Sequence, residues 1–300
     1  MAPISDPYGS RSSKDAAIIA RQEPVVYTNY ESFDNDEVRT RVKAFESDGY
    51  LLIEDLFSDE EVEALRAEVK ELASSDEIQS RDETFLEPGS RSVRSIFRIH
   101  ELSEKISELI KDPRLLDIAR SIVGSDVYVH QSRANLKPGF RGKEFYWHSD
   151  FETWHIEDGM PQMRALSCSV LLTDNDATNG PLMLMPGSHK HYISCIGETP
   201  DNHYKQSLKK QEYGVPDDDS LRFLANKCGI KTINAKAGSV VFFDCNTMHG
   251  SNSNISPYDR QNLFFVYNSI ENKLQSPKYG LTPRPDYIAA REHFTVLRNS

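Results

Sequence analysis

The chain of 300 residues has no long hydrophobic run. Its longest apolar stretches, such as residues 240–243, are far shorter than the roughly 20 residues that cross a bilayer. It also lacks a signal-peptide pattern, because the apolar stretch at residues 16–20 is short and no basic segment precedes it. We therefore expect a cytoplasmic protein.

Cysteine and clustered basic residues are also scarce. The four cysteines show no CxxC spacing, which indicates reduced thiols and not a disulfide framework. The net charge is −11 and no basic run is longer than Lys209-Lys210, which disfavours nucleic acid and anionic membranes as partners. Hydrophobic residues at 38% and charged residues at 27% are typical of a globular chain.

Helical signals dominate the first half of the chain. Residues 1–30 are rich in proline, glycine and serine and predict a flexible arm, after which Val38, Val42 and Phe45 recur at helical spacing. Ser58 and Glu61 form a capping box before a second apolar stripe. A third helix is predicted from Pro113, with Asp112 as its cap, to Gly124.

From residue 126 the hydrophobic pattern changes to period two, which indicates strands. Strands are predicted near residues 127–130, 166–172, 182–185, 239–244 and 261–269, after a short one at 49–53. Helices followed by many short strands predict an α+β fold around a β-sandwich or barrel. The polar segment 197–232 predicts a long insertion that serves as a lid, and its run Asp217-Asp218-Asp219 predicts a solvated loop.

A candidate metal site lies in the aromatic run that contains both tryptophans. His148 and Asp150 are two residues apart, so on a strand they would point to the same face and share one ion. His155 and Glu157 repeat this spacing, but His155 precedes a turn-like segment and is retained as a structural or substrate-edge residue. Completed by a distant histidine, the first pair would form a two-His-one-carboxylate triad, which suits Fe(II).

His249 is the preferred distal ligand, because it follows the predicted strand at 239–244 and precedes a turn. His189 and His191 compete for this role, although the Pro-Gly-Ser turn before them favours a place at the pocket rim. Eleven residues after His249, Arg260 begins another strand, and its guanidinium could bind a carboxylate through two parallel hydrogen bonds.

The combination of His148, Asp150, His249 and Arg260 resembles the Fe(II)/2-oxoglutarate dioxygenases of the phytanoyl-CoA hydroxylase type. The segment 181–189, with its Pro-Leu-Met and Pro-Gly-Ser-His sequences, is typical of the same group. Within that family, residues 145–169 resemble the signature of ectoine hydroxylases. The similarity extends over about residues 35–295, close to the predicted division into an arm and one dioxygenase domain at 31–300.

This resemblance implies a double-stranded β-helix (jelly roll, cupin-like) core with flanking N-terminal helices. It also implies Fe(II) as cofactor, 2-oxoglutarate and O₂ as cosubstrates, and conversion of ectoine to 5-hydroxyectoine with release of succinate and CO₂. A homodimer follows from the same resemblance. The resemblance implies that the metal is held by His148, Asp150 and His249. It implies 2-oxoglutarate contacts at Lys137, Arg260 and Asn135, and ectoine contacts at Gln131, Trp154 and Arg284.

Two other functions stay open on the sequence alone. One is a related dioxygenase that acts on another small zwitterion, in which substitution of Trp154 or Gln131 would leave turnover unharmed. The other is a jelly-roll protein that binds a metal or small ligand without redox chemistry. Each residue also has a structural alternative: Lys137 could be a solvated loop lysine, and Arg260 could pair with Asp259 or Asp244.

Overall fold

The computed structural model describes residues 6–12, 16–87, 92–200, 204 and 214–298. Eight α-helices are found in these ranges, and among them none is long and apolar enough to cross a membrane. Short 3₁₀ turns add residues Tyr30–Ser32, Ser188–Lys190 and Lys278–Gly280. The helices are α1 (Asp36–Asp48), α2 (Asp59–Ser74), α3 (Asp76–Gln79), α4 (Ile99–Leu102), α5 (Glu104–Leu109), α6 (Pro113–Val123), α7 (Asp150–Asp158) and α8 (Asp218–Cys228).

Thirteen strands in the described ranges form three antiparallel sheets. They are β1 (Ile18–Ala20), β2 (Tyr50–Ile53), β3 (Thr84–Leu86), β4 (Val93–Phe97), β5 (Val127–Lys137), β6 (Phe145–His148), β7 (Ala165–Leu171), β8 (Leu182–Leu184), β9 (His191–Ile193), β10 (Lys231–Thr232), β11 (Val240–Asp244), β12 (His249–Ser251) and β13 (Arg260–Ser269). The large sheet has the order β2-β11-β7-β13-β5-β4-β3, the small sheet has the order β10-β8-β12-β6, and β1 pairs with β9. The two facing sheets and the N-terminal helices confirm the predicted α+β fold with a double-stranded β-helix core.

The two faces of the large sheet pack against different parts of the fold. Leu166, Cys168 and Val170 on β7 belong to the main apolar core, which joins this sheet to helices α1, α2, α5 and α6. Leu171 lies on the opposite face and packs with Leu184 of the small sheet. Because successive side chains of a strand alternate between faces, the serines between the core residues of β7 point towards the space between the sheets.

The predicted helix signals are confirmed. Asn35 caps α1, Ser58 and Glu61 form both bonds of a capping box on α2, and Asp112 accepts a bond from the amide of Arg114 at the start of α6. Helix α6 ends at Gly124, whose φ of 66° is a left-handed conformation that favours glycine. The strands predicted near 49–53, 127–130, 166–172, 182–185, 239–244 and 261–269 are confirmed as β2, β5, β7, β8, β11 and β13.

The N-terminal segment differs from the flexible arm that its composition predicts. Its described residues pack on the domain: Tyr8 and Arg11 are buried, and β1 pairs with β9. The physical reason is that Arg11 forms ion pairs with buried glutamates of α7, a long-range interaction that local composition does not reveal.

The predicted insertion at 197–232 is also different where it is described. Residues 201–203 and 205–213 lie outside the described residues. The run at 217–219 is not a solvated loop, because Asp217 caps α8 by accepting a hydrogen bond from the amide of Ser220. Leu221 and Leu224 of α8 pack into an apolar cluster, and β10 pairs with β8, so residues 218–232 are an integral part of the domain.

Candidate metal centre and its cationic pocket

Three predicted metal ligands meet at the mouth of the double-stranded β-helix. One ligand atom from each of His148, Asp150 and His249 lies within 4.8 Å of the others. The Nε2 atom of His148 is 3.7 Å from Oδ1 of Asp150, and that of His249 is 3.9 Å from Oδ2. Two imidazoles and one carboxylate that share a single side of a site are the donor set of non-haem Fe(II) oxygenases.

Strand pairing explains how residues about 100 positions apart meet. His249 begins β12 and lies directly opposite His148, the last residue of β6, in the antiparallel register of the small sheet. Asp150 is the first residue of α7. The expectation that His148 and Asp150 share one strand is therefore wrong: the strand ends at His148, and the turn through Ser149 brings the carboxylate back towards the ring.

Hydrogen bonds around the triad fix which atoms face the ion. The Nδ1 atom of His148 lies 2.7 Å from the carbonyl of Tyr146, and that of His249 lies 2.9 Å from the carbonyl of Thr247. Both rings therefore have Nδ1 protonated and present the Nε2 lone pair to the site. Ser167, one of the inward-facing serines of β7, donates to Oδ2 of Asp150 over 3.2 Å.

The protonation state of His148 also suits metal binding. Burial, reinforced by the neighbouring His249, lowers the pKa of His148 to about 4. At neutral pH its imidazole is uncharged, which is the form that coordinates a metal.

A buried cationic pocket adjoins the triad. Arg260 begins β13 directly opposite Lys137, the last residue of β5, and Asn262 lies opposite Asn135. Arg260 donates to the carbonyl of Gly180 over 2.9 Å and to Oδ1 of Asn135. Lys137 donates to the hydroxyl of Ser251 over 2.8 Å, so it is not the solvated loop lysine of the alternative interpretation.

The electrostatics of this pocket show an excess of positive charge. Burial, together with the charges of Arg260 and Arg94, lowers the pKa of Lys137 to about 6. Burial, together with Arg94 and Arg133, lowers the pKa of Arg260 to about 9. Arg94 pairs with Glu87, but the basic side chains of Arg133, Lys137 and Arg260 have no carboxylate within salt-bridge distance among the described residues.

Unused hydrogen-bond donors show that the pocket fits an anion. The buried Nε atoms of Arg133 and Arg260 have no hydrogen-bond partner within the described ranges. Buried donors of this kind are normally satisfied, and a dianion beside the triad would satisfy them while offsetting the positive charge. The donor set therefore fits Fe(II), and the charge and free donors of the pocket suit a dicarboxylate.

Sequence reasoning missed Arg133. It lines the pocket with His148 and His249, and its guanidinium lies over the ring of Phe264, with 5.2 Å between its central carbon and the ring centroid. The sequence did contain a signal for it: Arg133 is two residues from each of the predicted contacts Gln131 and Asn135 along β5, and this spacing places all three on one face of the strand.

The three predicted ectoine contacts lie in different surroundings. Gln131 pairs in register with Val266, and Trp154 of α7 shares an apolar cluster with Val266, so both residues are neighbours of the same position in the large sheet. Gln131 donates to the carbonyl of Ile288 over 2.7 Å. Arg284 makes a bidentate ion pair with Asp158, with distances of 2.8 and 2.6 Å, and is thereby engaged within the protein.

The Asp158–Arg284 pair is strongly held. Burial opposes ionisation of Asp158, but Arg284 and then His130 outweigh it and lower the pKa of Asp158 to about 2. Trp154 packs edge-on against His130, with ring centroids 5.1 Å apart. Trp154 and Arg284 are thus connected through the C-terminal end of α7.

The other histidines considered from the sequence lie outside the triad. His155 uses both ring nitrogens, with Nδ1 2.7 Å from the carbonyl of Met160 and Nε2 2.9 Å from Oδ2 of Asp6, and therefore has a structural role. Nε2 of His189 is 3.1 Å from the carbonyl of Glu46, and that of His191 is 2.9 Å from Nζ of Lys227. A separate cleft of about 990 Å³, lined by His100, Gln131 and Tyr287 among others, contains no triad residue.

The sequence matches a known family and curated relatives over most of its length. The model of the family phytanoyl-CoA dioxygenase (PhyH) matches residues 45–262. The ectoine dioxygenase of Bordetella bronchiseptica is 64% identical over 298 residues, which cover 99% of this chain and 96% of that protein. The ectoine dioxygenase of Stutzerimonas stutzeri is 54% identical, with coverage of 98% and 97%.

The fold is also similar to solved structures of an ectoine-related protein. The crystal structure of EctD from S. alaskensis with 2-oxoglutarate and 5-hydroxyectoine has a TM-score of 0.87 and 46% identity, and 98% of each chain is covered. The structure of the same protein with bound Fe has a TM-score of 0.86 and 45% identity, again with 98% of each chain covered.

Proposed function

This chain belongs to the phytanoyl-CoA dioxygenase (PhyH) family, and from that membership we propose that it hydroxylates ectoine to 5-hydroxyectoine. It is an Fe(II)- and 2-oxoglutarate-dependent dioxygenase that releases succinate and CO₂. The observation that carries this function is the two-His-one-carboxylate triad beside a buried pocket whose basic side chains Arg133, Lys137 and Arg260 have no carboxylate partner in the described part of the chain. The 64% identity to an ectoine dioxygenase over nearly the whole chain supports the choice of substrate.

His148, Asp150 and His249 hold the iron, and the bound Fe(II) supplies the oxygen-activating chemistry that amino-acid side chains lack. Arg260 and Lys137 bind the carboxylates of 2-oxoglutarate, while Asn135 keeps Arg260 in place through its hydrogen bond. The residues therefore orient the two carboxylate ends of the cosubstrate between the sheets, where burial excludes water and strengthens charge-assisted hydrogen bonds.

The ectoine subsite contains Gln131 and Trp154. Ectoine is a small zwitterion with a delocalised amidinium cation, and an aromatic face such as that of Trp154 attracts a cation. Gln131 offers an amide to a ring N–H or to the carboxylate. Arg284, which Asp158 binds bidentately, stays a predicted contact of the substrate carboxylate. The task of these residues is to determine which substrate hydrogen faces the metal.

The first test is an aerobic incubation with Fe(II), 2-oxoglutarate and ectoine, with succinate and the mass of ectoine as readouts. We expect ectoine to gain one oxygen atom in step with succinate. Succinate without oxidised ectoine would retain the dioxygenase and contradict the substrate, as for a related enzyme acting on another zwitterion. Absence of succinate with metal bound would favour a jelly-roll protein without redox function.

Two features of the working enzyme are part of the same proposal. We propose that residues 31–300, together with the N-terminal residues that pack on them, act as one catalytic domain and that the enzyme is a cytoplasmic homodimer. The resemblance to ectoine hydroxylases supports the dimer. Light scattering after size-exclusion chromatography would then give the mass of two 34.1-kDa chains, whereas the mass of one chain would contradict it.

A further inference from the structure

The N-terminal segment is bonded to the helix that carries the metal ligand Asp150. Ser10 donates to Oε1 of Glu152 over 2.6 Å and accepts from the amide of Cys195 over 2.8 Å. The amide of Arg11 donates to the carbonyl of Cys195 over 2.9 Å. Ser10 and Arg11 are only 2% and 5% exposed, so these two residues belong to the interior of the domain.

The guanidinium of Arg11 binds both ends of α7. Its Nε and Nη2 atoms donate to the two carboxylate oxygens of Glu152 over 2.9 and 2.6 Å, which is a bidentate pair. Its Nη1 atom donates to Oε1 of Glu157 over 2.5 Å, and Nη2 also lies 3.1 Å from the hydroxyl of Thr153. One side chain thus joins the first turn of α7 to its last.

Helix α7 has features that make such an external partner necessary. It has nine residues, which is short for a helix that is stable by itself, and Ser149 at its N-cap makes no capping bond with its side chain. Glu157 and Asp158 lie at its C-terminus, where the helix dipole disfavours negative charge. Both carboxylates are buried, so each requires a cation.

The backbone of Arg11 supports the same view. Its φ of 56° is left-handed, a conformation that a non-glycine residue rarely adopts. Such a conformation persists where the surrounding contacts determine it, and at Arg11 these contacts are the bonds to Glu152 and Glu157. The neighbouring Tyr8 adds an edge-on contact with Phe151, with ring centroids 5.7 Å apart.

We infer that Arg11 is a positioning residue for the metal centre: by holding both ends of α7 it fixes the place of Asp150, the first residue of that helix. The inference rests on the proposed metal site. Asp150 itself has one weak hydrogen bond, from Ser167, among the described residues, so its direction depends on the placement of α7. A lysine would not replace Arg11, because a single ammonium lacks the planar fork that binds Glu152 bidentately.

Mn(II) binding tests this inference without turnover. The affinity of the full-length protein for Mn(II) is measured from the EPR signal of the free ion, below the unfolding temperature of each variant. We expect R11Q to bind Mn(II) about tenfold more weakly, at the lower end of the range for loss of an outer-shell partner. The control is R114Q, which loses ion pairs to Glu61 and Asp112, neither of them a residue of α7, and should keep full affinity.

The outcomes separate the possible failures. Unchanged affinity in R11Q together with a lowered Tm would overturn the inference and leave Arg11 a purely structural role. If R11Q does not fold, R11K serves the same comparison, with a loss of about threefold expected and an unchanged affinity overturning the inference. A wild-type protein that does not bind Mn(II) would contradict the proposed metal site itself.

Discussion

At the scale of single residues, the triad has a sharp mutational test. H148A and D150A each remove a ligand, and we expect metal affinity to fall by more than the roughly 10- to 100-fold typical of outer-shell losses. The matched control is H191A, because His191 is a half-buried histidine whose Nε2 contacts Lys227 and not the triad. Equilibrium dialysis with Mn(II) gives the readout, and full metal binding in D150A would refute the ligand assignment.

The lowered pKa of the buried Lys137 leads us to expect that cosubstrate binding depends on pH. Because burial and Arg260 lower its pKa to about 6, Lys137 is mostly neutral at pH 7.5 in the cosubstrate-free protein. A dicarboxylate beside it favours the ammonium form and raises that pKa, so binding takes up a proton. The affinity for 2-oxoglutarate is therefore highest below pH 6 and decreases as the pH rises above it.

Calorimetry of 2-oxoglutarate binding to the anaerobic, Mn(II)-loaded protein measures this uptake. The uptake of close to one proton at pH 7.5 should make the binding enthalpies in phosphate and in Tris differ by nearly the full difference between the ionisation enthalpies of the two buffers. In K137M the difference should disappear. Equal enthalpies in the two buffers for the wild type would show that Lys137 does not titrate with the cosubstrate.

At the scale of elements, the pairing of β5 with β13 brings together basic side chains that serve cosubstrate binding but repel one another in the folded protein. Arg260 lies opposite Lys137 in a buried site where Arg94 and Arg133 repel it. We expect R260Q to bind 2-oxoglutarate about 100-fold more weakly, the loss of a strong charge-assisted hydrogen bond. The Tm of the cosubstrate-free variant should not fall, because the substitution removes a buried charge that has no carboxylate partner within the described ranges.

The exposed Arg141 in the loop after β5 provides the matched control for this experiment. R141Q removes the same charge near the same pocket but outside its buried part, so cosubstrate affinity should stay within twofold of the wild type. Titration calorimetry and thermal unfolding report the two quantities. A large loss of Tm in R260Q would mean that Arg260 serves the fold more than the cosubstrate.

Elements also differ in how well the sequence predicts them. Strand β7 is recognisable because Leu166, Cys168 and Val170 face the helices while serines face the site, which gives a clear period of two. Helix α7 has no such signal, since seven of its nine residues are buried and neither period appears. Helix α8 was missed because its cap, Asp217, opens an acidic run that resembles a loop.

The residues of the site are also only partly predictable from local sequence patterns. Its residues lie at the ends of β5, β6, β12 and β13, and the register that brings His249 opposite His148 depends on pairing between distant strands. Local patterns do not contain that register. Spacing and strand ends pointed to His148, Asp150, His249 and Arg260, whereas the resemblance to a known family was needed to add Lys137 and Asn135. Arg133 was missed in this way, although strand alternation alone places it with Gln131 and Asn135 on one face.

At the scale of the whole molecule, the ligands of one ion come from different elements of the fold. His148 ends a strand of the small sheet, Asp150 begins α7, and α7 is held by the N-terminal segment through Arg11. The cationic pocket lies between the two sheets and loses its uncompensated charge when a dianion binds. Metal and 2-oxoglutarate should therefore stabilise the whole domain together.

Thermal unfolding tests this coupling. At a ligand concentration about 100 times the dissociation constant, binding to the folded state adds about 2.7 kcal/mol, or about 5 °C in Tm for a domain of this size. We expect Mn(II) with 2-oxoglutarate to raise Tm by more than the sum of the two separate shifts, because the cosubstrate chelates the ion that the triad holds. In D150A the cooperative part should vanish while Arg260 and Lys137 still give a small shift with 2-oxoglutarate alone. Strictly additive shifts in the wild type would mean that the dicarboxylate binds away from the metal, and the pocket at Arg260 would then need another ligand.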